Sequence, residues 1–201
     1  MKKFIIKTAV KTFLICLLVL VVGFVGFNFL CPQHMATYCE RLGNYRMAVN
    51  YAALRYTYTD DTYDLARCFE DSILTGDDEL IVRYGDEFIG KDDWVLVTFD
   101  MTVSSGVDYY TLFGGQLVKS RYDTGNFASA LELAVYLNIP EGSFAMSCPL
   151  MSLSASVIGR QDRENAPALL EVLQSLSPDP EDTDEVEALE DFIKRVKNLT
   201  V

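Results

Sequence analysis

The chain opens with a run of apolar positions that has no polar face. From Thr12 to Leu30 it reads TFLICLLVLVVGFVGFNFL, nineteen residues without a charge. As a helix this run is roughly 28 Å long, close to the hydrocarbon thickness of a bilayer. Beyond Cys31-Pro32 the pattern changes, and apolar positions return at spacings of three and four between short polar breaks. That period belongs to amphipathic helices, and the clean alternation expected of strands is absent. The chain is therefore expected to be all-α: one membrane helix followed by consecutive short helices.

The breaks set the expected limits of those helices. Residues 33–42 and 45–57 form a first pair around Leu42-Gly43-Asn44, and residues 61–75 and 78–90 a second around Thr75-Gly76-Asp77. Glycine there can take the left-handed conformation that ends a helix, and the following Asn or Asp can cap the next one. Lys91-Asp92-Asp93 starts a further helix through Ser105, and residues 109–122 and 126–138 pair around Asp123-Thr124-Gly125. Ile139-Pro140-Glu141-Gly142 reads as a stop, and Ser143 to Gly159 as a buried, serine-rich helix. Ala166 to Ser175 is amphipathic, and Ser177-Pro178-Asp179-Pro180 is a linker. Residues 183–199 close the domain as a capping helix. Val186, Leu189, Phe192, Ile193 and Val196 share one face, acidic residues fill the first turns, and Lys194, Arg195 and Lys197 fill the last.

Charge adds orientation to this plan. The only charged residues before position 31 are Lys2, Lys3, Lys7 and Lys11. The other 13 of the 17 basic residues face all 29 acidic ones, so residues 31–201 carry a net charge of −16. By the positive-inside rule, residues 1–11 are a cytoplasmic leader, 12–30 the span, and 31–201 an extracytoplasmic domain. Phe27-Asn28-Phe29-Leu30 offers no small-x-small cleavage site, and Leu30 stands where a lipoprotein needs a small residue before its cysteine. An uncleaved single-pass anchor in a bacterial plasma membrane is the resulting expectation. An acidic domain repels phosphate backbones, which argues against nucleic acid as a partner.

Two of the breaks echo each other. Gly43-Asn44-Tyr45-Arg46-Met47-Ala48-Val49-Asn50-Tyr51-Ala52 and Gly125-Asn126-Phe127-Ala128-Ser129-Ala130-Leu131-Glu132-Leu133-Ala134 share the form G-N-aromatic-x-x-A-aliphatic-x-x-A. A weaker copy begins at Gly76-Asp77-Asp78, thirty-three residues after Gly43. On Gly43, Tyr45 and Ala48, and on Gly125, Phe127 and Ala130, the sequence resembles the tetratricopeptide repeat family, whose period is about 34 residues. The resemblance implies a solenoid of antiparallel helical hairpins, with repeats near 33–57, 61–90 and 109–138, that binds protein or peptide partners. The chain departs from that family in lacking most of the first-helix signature and in the 49 residues that separate Gly76 from Gly125.

Candidate chemistry is sparse. No two of the five cysteines form a C-x-x-C pair, and Cys39 and Cys68 are the candidates for a disulfide because they sit on first helices of adjacent hairpins. His34, the single histidine, lies just past the span and suits the membrane interface better than catalysis. The acidic clusters at Asp60-Asp61, Asp77-Asp78-Glu79, Asp92-Asp93 and Glu181 to Glu185 fall where helix N-termini are expected, as caps do. No catalytic residue, metal or cofactor is expected. Tyrosines are dense early in the domain, and Tyr45, Tyr51 and Tyr58 are candidate partner-binding residues of an aromatic groove. The expected function is a membrane-anchored, non-enzymatic interaction scaffold. The alternatives are a structural subunit assembled through its span and, with least support, an extracytoplasmic hydrolase.

Overall fold

The computed structural model describes residues 2–138 and 148–200, and among them are eleven helices and no strand. Helix α1 (Lys2–Leu30) contains Val10–Leu30, 21 residues of mean hydropathy 2.8 with none of the window buried. It is long and apolar enough to cross a membrane, a property shared by signal sequences near an N-terminus. Cys31 breaks the helix, and Pro32 starts the next one, where its missing N–H costs nothing.

Ten helices follow: α2 (Pro32–Arg41), α3 (Tyr45–Thr59), α4 (Thr62–Thr75), α5 (Asp78–Ile89), α6 (Trp94–Ser105), α7 (Tyr109–Asp123), α8 (Phe127–Tyr136), α9 (Pro149–Arg160), α10 (Ala166–Ser175) and α11 (Thr183–Lys197). Successive helices pack in sequence, α2 on α3, α3 on α4 and α4 on α5. The stack then continues from α5 to α7, while α6 lies beside α4, α5 and α7 as an inserted element. That insertion accounts for the wide spacing between Gly76 and Gly125. Helix α7 meets both α8 and α9, and α11 closes on α9 and α10.

The expected breaks are real turns with a shared geometry. Gly43, Gly76 and Gly125 have φ of +70°, +67° and +87°, a region in which a side chain would be strained. After each, Asn44, Asp77 or Asn126 accepts a hydrogen bond from the backbone N–H three residues on, at Met47, Leu80 or Ser129. A fourth such turn is one the sequence hides. Gln161 takes the left-handed position at φ +52°, and Asp162 accepts from the N–H of Asn165 at 3.1 Å.

Small residues behind these turns let the helices close. Ala48, Ala52, Ala130 and Ala134 are buried. In the middle copy Gly85 stands where the others have Ala52 and Ala134, and a Cβ there would lie 2.7 Å from Leu117 Cδ1 and 3.0 Å from the Phe69 ring. One apolar core runs from Val49 to Val196. Its centre is aromatic, with Phe69 and Phe88 against Phe113 at centroid distances of 4.6 and 5.6 Å, and each such buried ring contributes about 2–3 kcal/mol.

Two expected limits shift. The helix expected from Lys91 begins at Trp94, because residues 91–93 turn and the Asp93 carboxylate accepts from Thr62 Oγ1 at 2.7 Å instead of capping. The helix expected from Ser143 to Gly159 is described from Pro149 to Arg160. Its first residues and the Ile139 to Gly142 stop lie outside the described residues.

Side-chain contacts also sort the two ends of the stack. The turns at 43–44, 76–77, 124–126 and 161–162 share one end, joined by Arg46–Asp77 at 3.5 Å, Ser120 to Asp78 at 2.7 Å, Arg160–Asp123 at 2.5 Å and Tyr122 to Asp162 at 2.7 Å. The connections between hairpins share the other. Lys91 pairs with Asp60 at 2.9 Å, Trp94 stacks on Tyr110 at 5.2 Å, and Tyr110 donates to the Leu137 carbonyl at 3.4 Å. Helix α1 leaves at this connection end, where Tyr51 donates to Asn28 and Arg55 to Gln33.

Candidate functional site

Beside α2 and α4, a cleft of about 580 Å³ is lined by Glu40, Arg41, Tyr45, Tyr63, Arg67, Glu70, Asp71, Leu74 and Met101. It exists because α6 is inserted: without Met101 the face of α4 would have no opposite wall. Tyr63 of α4 fixes that wall by donating to Asp100 of α6 at 2.5 Å, and Tyr109 of α7 donates to Glu70 of α4 at 2.8 Å.

The floor is an organised set of charges. Arg67 donates through Nε to Glu40 at 2.9 Å and through Nη2 to Thr37 at 2.7 Å, which ties α4 to α2. Asp71, only 3% exposed, lies among these groups, and its Oδ2 has no hydrogen-bond partner. Burial, and then the neighbouring Glu40 charge, push its carboxyl up to about 7, against the pull of Arg67. A buried acceptor with no partner is costly, and keeping the carboxyl proton, with Glu40 close enough to accept it, lowers that cost.

Cys39 and Cys68, the candidate disulfide pair, are both free and buried. Burial, followed by the charge of Asp71, pushes the Cys68 thiol up to about 12, and burial also raises Cys39. Both thiols therefore stay protonated and behave as small core side chains.

The three candidate tyrosines are not brought together. Tyr45 lines the cleft at the start of α3, Tyr51 turns to Asn28 of α1, and Tyr58 is exposed at the connection end. The residues that do build the site, Arg67, Asp71 and Met101, were not singled out from sequence. The signal that could have found Asp71 is its place three residues after Cys68, on the buried side of α4. His34 is exposed and stacks on Phe27 of α1 at 6.5 Å. Among the described residues no cluster of three His, Cys, Asp or Glu side chains is placed to hold a metal ion.

Chemically, the cleft sets the carboxylates of Glu40, Glu70 and Asp71 beside the cations Arg41 and Arg67. An aromatic edge at Tyr45 and Tyr63 and apolar side chains at Leu74 and Met101 complete the lining. No family model matches this chain, and neither does any curated protein or solved structure.

Proposed function

We propose that the chain is a membrane-anchored, non-enzymatic interaction module whose cleft between α2, α4 and α6 receives a basic segment of a protein partner. In this reading α1 is a single-pass anchor in a bacterial plasma membrane, its N-terminus cytoplasmic, and the helices beyond it form a tetratricopeptide-repeat-like stack outside. The carrying observation is the unpartnered buried oxygen of Asp71 in a cleft whose Glu40 and Glu70 also accept. A lysine or arginine side chain supplies the donor that this oxygen lacks, and the strongly acidic domain favours approach of a cationic partner. The repeat-like stacking is supported by the four similar turns and the small residues behind them.

Photo-crosslinking from the cleft tests this reading. A benzophenone side chain at Leu74 of the full chain, in native membranes, should trap one dominant protein, and Glu70→Lys should reduce that adduct at least severalfold. A folded protein that gives no adduct from Leu74, or one unaffected by Glu70→Lys, would sink the proposal.

A further inference from the structure

Outside α1, most of the large apolar side chains left in solvent lie on α6 or at the connection end, with Tyr38, Leu42, Met47 and Leu74 exposed elsewhere. Tyr58 closes α3 at 63% exposure, and Tyr136 closes α8 at 67%. Between them α6 presents Leu96, Phe99 and Val103 at 61, 63 and 69% exposure. Val95, Val107 and Val135 are also exposed at about half of their surface. Such a patch is unusual on a soluble monomer and marks a contact surface.

Three contacts place the patch. Trp94 at the start of α6 stacks on Tyr110, and Thr102 near its end accepts from the N–H of Tyr109 at 3.1 Å. Both ends of α6 are thus held to the first turn of α7, so its apolar stripe stays at the connection end. That is also the end where α1 leaves the domain, tied by the Tyr51–Asn28 and Arg55–Gln33 hydrogen bonds. Helix α3 runs antiparallel to α2, so its residues beyond Arg55, including Tyr58, reach back to the level of the end of α1.

We infer that the connection end of the stack rests on the bilayer, with Leu96, Phe99 and Val103 of α6 in the lipid interface and Tyr58 and Tyr136 at its rim. Tyrosine beside aliphatic and phenyl side chains is the composition that the interface favours. Most carboxylates at this end have internal partners, since Asp60 pairs with Lys91, Asp93 accepts from Thr62, Asp100 accepts from Tyr63, and Asp61 and Asp108 cap helices, while Asp92 before α6 is exposed. No cluster of cations is offered there among the described residues, so the contact depends on apolar burial in neutral lipid and not on anionic headgroups. A peptide partner is the competing occupant, for which Val95, Phe99 and Tyr110 line a groove of about 410 Å³, but the position of the patch beside the exit of α1 favours lipid. The inference rests on the anchor reading of α1 and not on the partner proposed for the cleft.

The test uses the full chain in phosphatidylcholine vesicles, with Cys16→Ser and Cys31→Ser removing the accessible thiols. Single cysteines at Leu96, Tyr136, Leu74 and Val19 carry an environment-sensitive fluorophore, and brominated acyl chains serve as the quencher. Labels at 96, 136 and 19 should lose most of their emission, while the label at 74, at the turn end, stays bright. Quenching at 19 with none at 96 and 136 overturns the lipid contact and leaves the anchor standing. No quenching at 19 removes the anchor and the inference with it, and equal quenching at 74 overturns the proposed orientation. Phe99→Cys and Val103→Cys replace either α6 or rim position if a labelled protein loses its helical circular dichroism.

Discussion

The two ends of this helical stack are built on different chemistry. At the turn end three loops repeat one solution, a left-handed glycine followed by an Asn or Asp that caps the next helix. The fourth turns at left-handed Gln161 with Asp162 bonded to Asn165, and ion pairs such as Arg46–Asp77 and Arg160–Asp123 link these loops. At the connection end the loops are unlike one another, and a whole helix is inserted between the second hairpin and the third. The turn end exposes Leu42, Met47 and Leu74 among its ion pairs; the connection end exposes Tyr58, Leu96, Phe99 and Tyr136. Regular turns make a stack, and departures from regularity make surfaces. The cleft and the apolar patch both exist because of α6, on its two sides.

The largest expected effect therefore comes from loosening α6. Trp94 is 6% exposed and joins the insertion to the stack, edge-on to Phe88 at 6.3 Å and stacked on Tyr110 at 5.2 Å. Trp94→Ala should lower the unfolding free energy by about 3–5 kcal/mol, measured by urea denaturation, and should abolish crosslinking from the cleft. A loss below about 1 kcal/mol would mean that α6 is an appendage and that the two ends do not differ in the way described.

These elements differ in how far the sequence reveals them. Helix pairs and their breaks were legible because glycine followed by Asn or Asp has few other uses, and Gly43, Gly76 and Gly125 were all read correctly as turns. The fourth turn was hidden because Gln161 fills the left-handed position without glycine. The middle copy looked degenerate because Asp78 and Ile81 stand where the others have an aromatic residue and an alanine, and Gly85, whose missing Cβ admits Leu117 and Phe69, drew no notice. Helix α6 was found, but WVLVTFDMTVSS is apolar nearly all round, so no period shows which side faces solvent. Tyr51 illustrates the remaining difficulty: it matched Tyr58 by heptad spacing, yet its hydroxyl is committed to α1, a contact that no local pattern encodes.

A smaller effect separates the cleft floor from the capping carboxylates. Asp71 has its carboxyl raised to about 7, mainly by burial, so the folded protein binds this proton more tightly than the unfolded chain does. Its contribution to stability is fully present below about pH 4 and is lost as pH rises through 7, the reverse of an ordinary paired aspartate. Allowing for water that reaches the cleft, the wild type should lose about 1–2 kcal/mol between pH 5 and pH 8 from this group. Asp71→Asn keeps the shape and removes the titration, so its stability should be flatter over the same window. Equal pH slopes in the two proteins would show that Asp71 ionises as freely as a surface carboxylate, and the cleft floor would then be an ordinary polar surface.

The smallest expected effect bears most directly on the comparison. Leu96 and Phe99 each leave about three-fifths of their side chains in solvent, so the core gains little from either. In detergent-free buffer, with residues 2–30 removed only if the remaining helices prove stable, Leu96→Asn with Phe99→Asn should change the unfolding free energy by less than about 0.5 kcal/mol for each substitution. An apolar side chain that the fold does not need, on a helix that the fold does need, is what distinguishes a surface for contact from a core residue poorly covered. A loss approaching that of Trp94→Ala would place Leu96 and Phe99 with the core. The connection end would then be structural, like the turn end, and its apolar surface would need no bilayer to explain it.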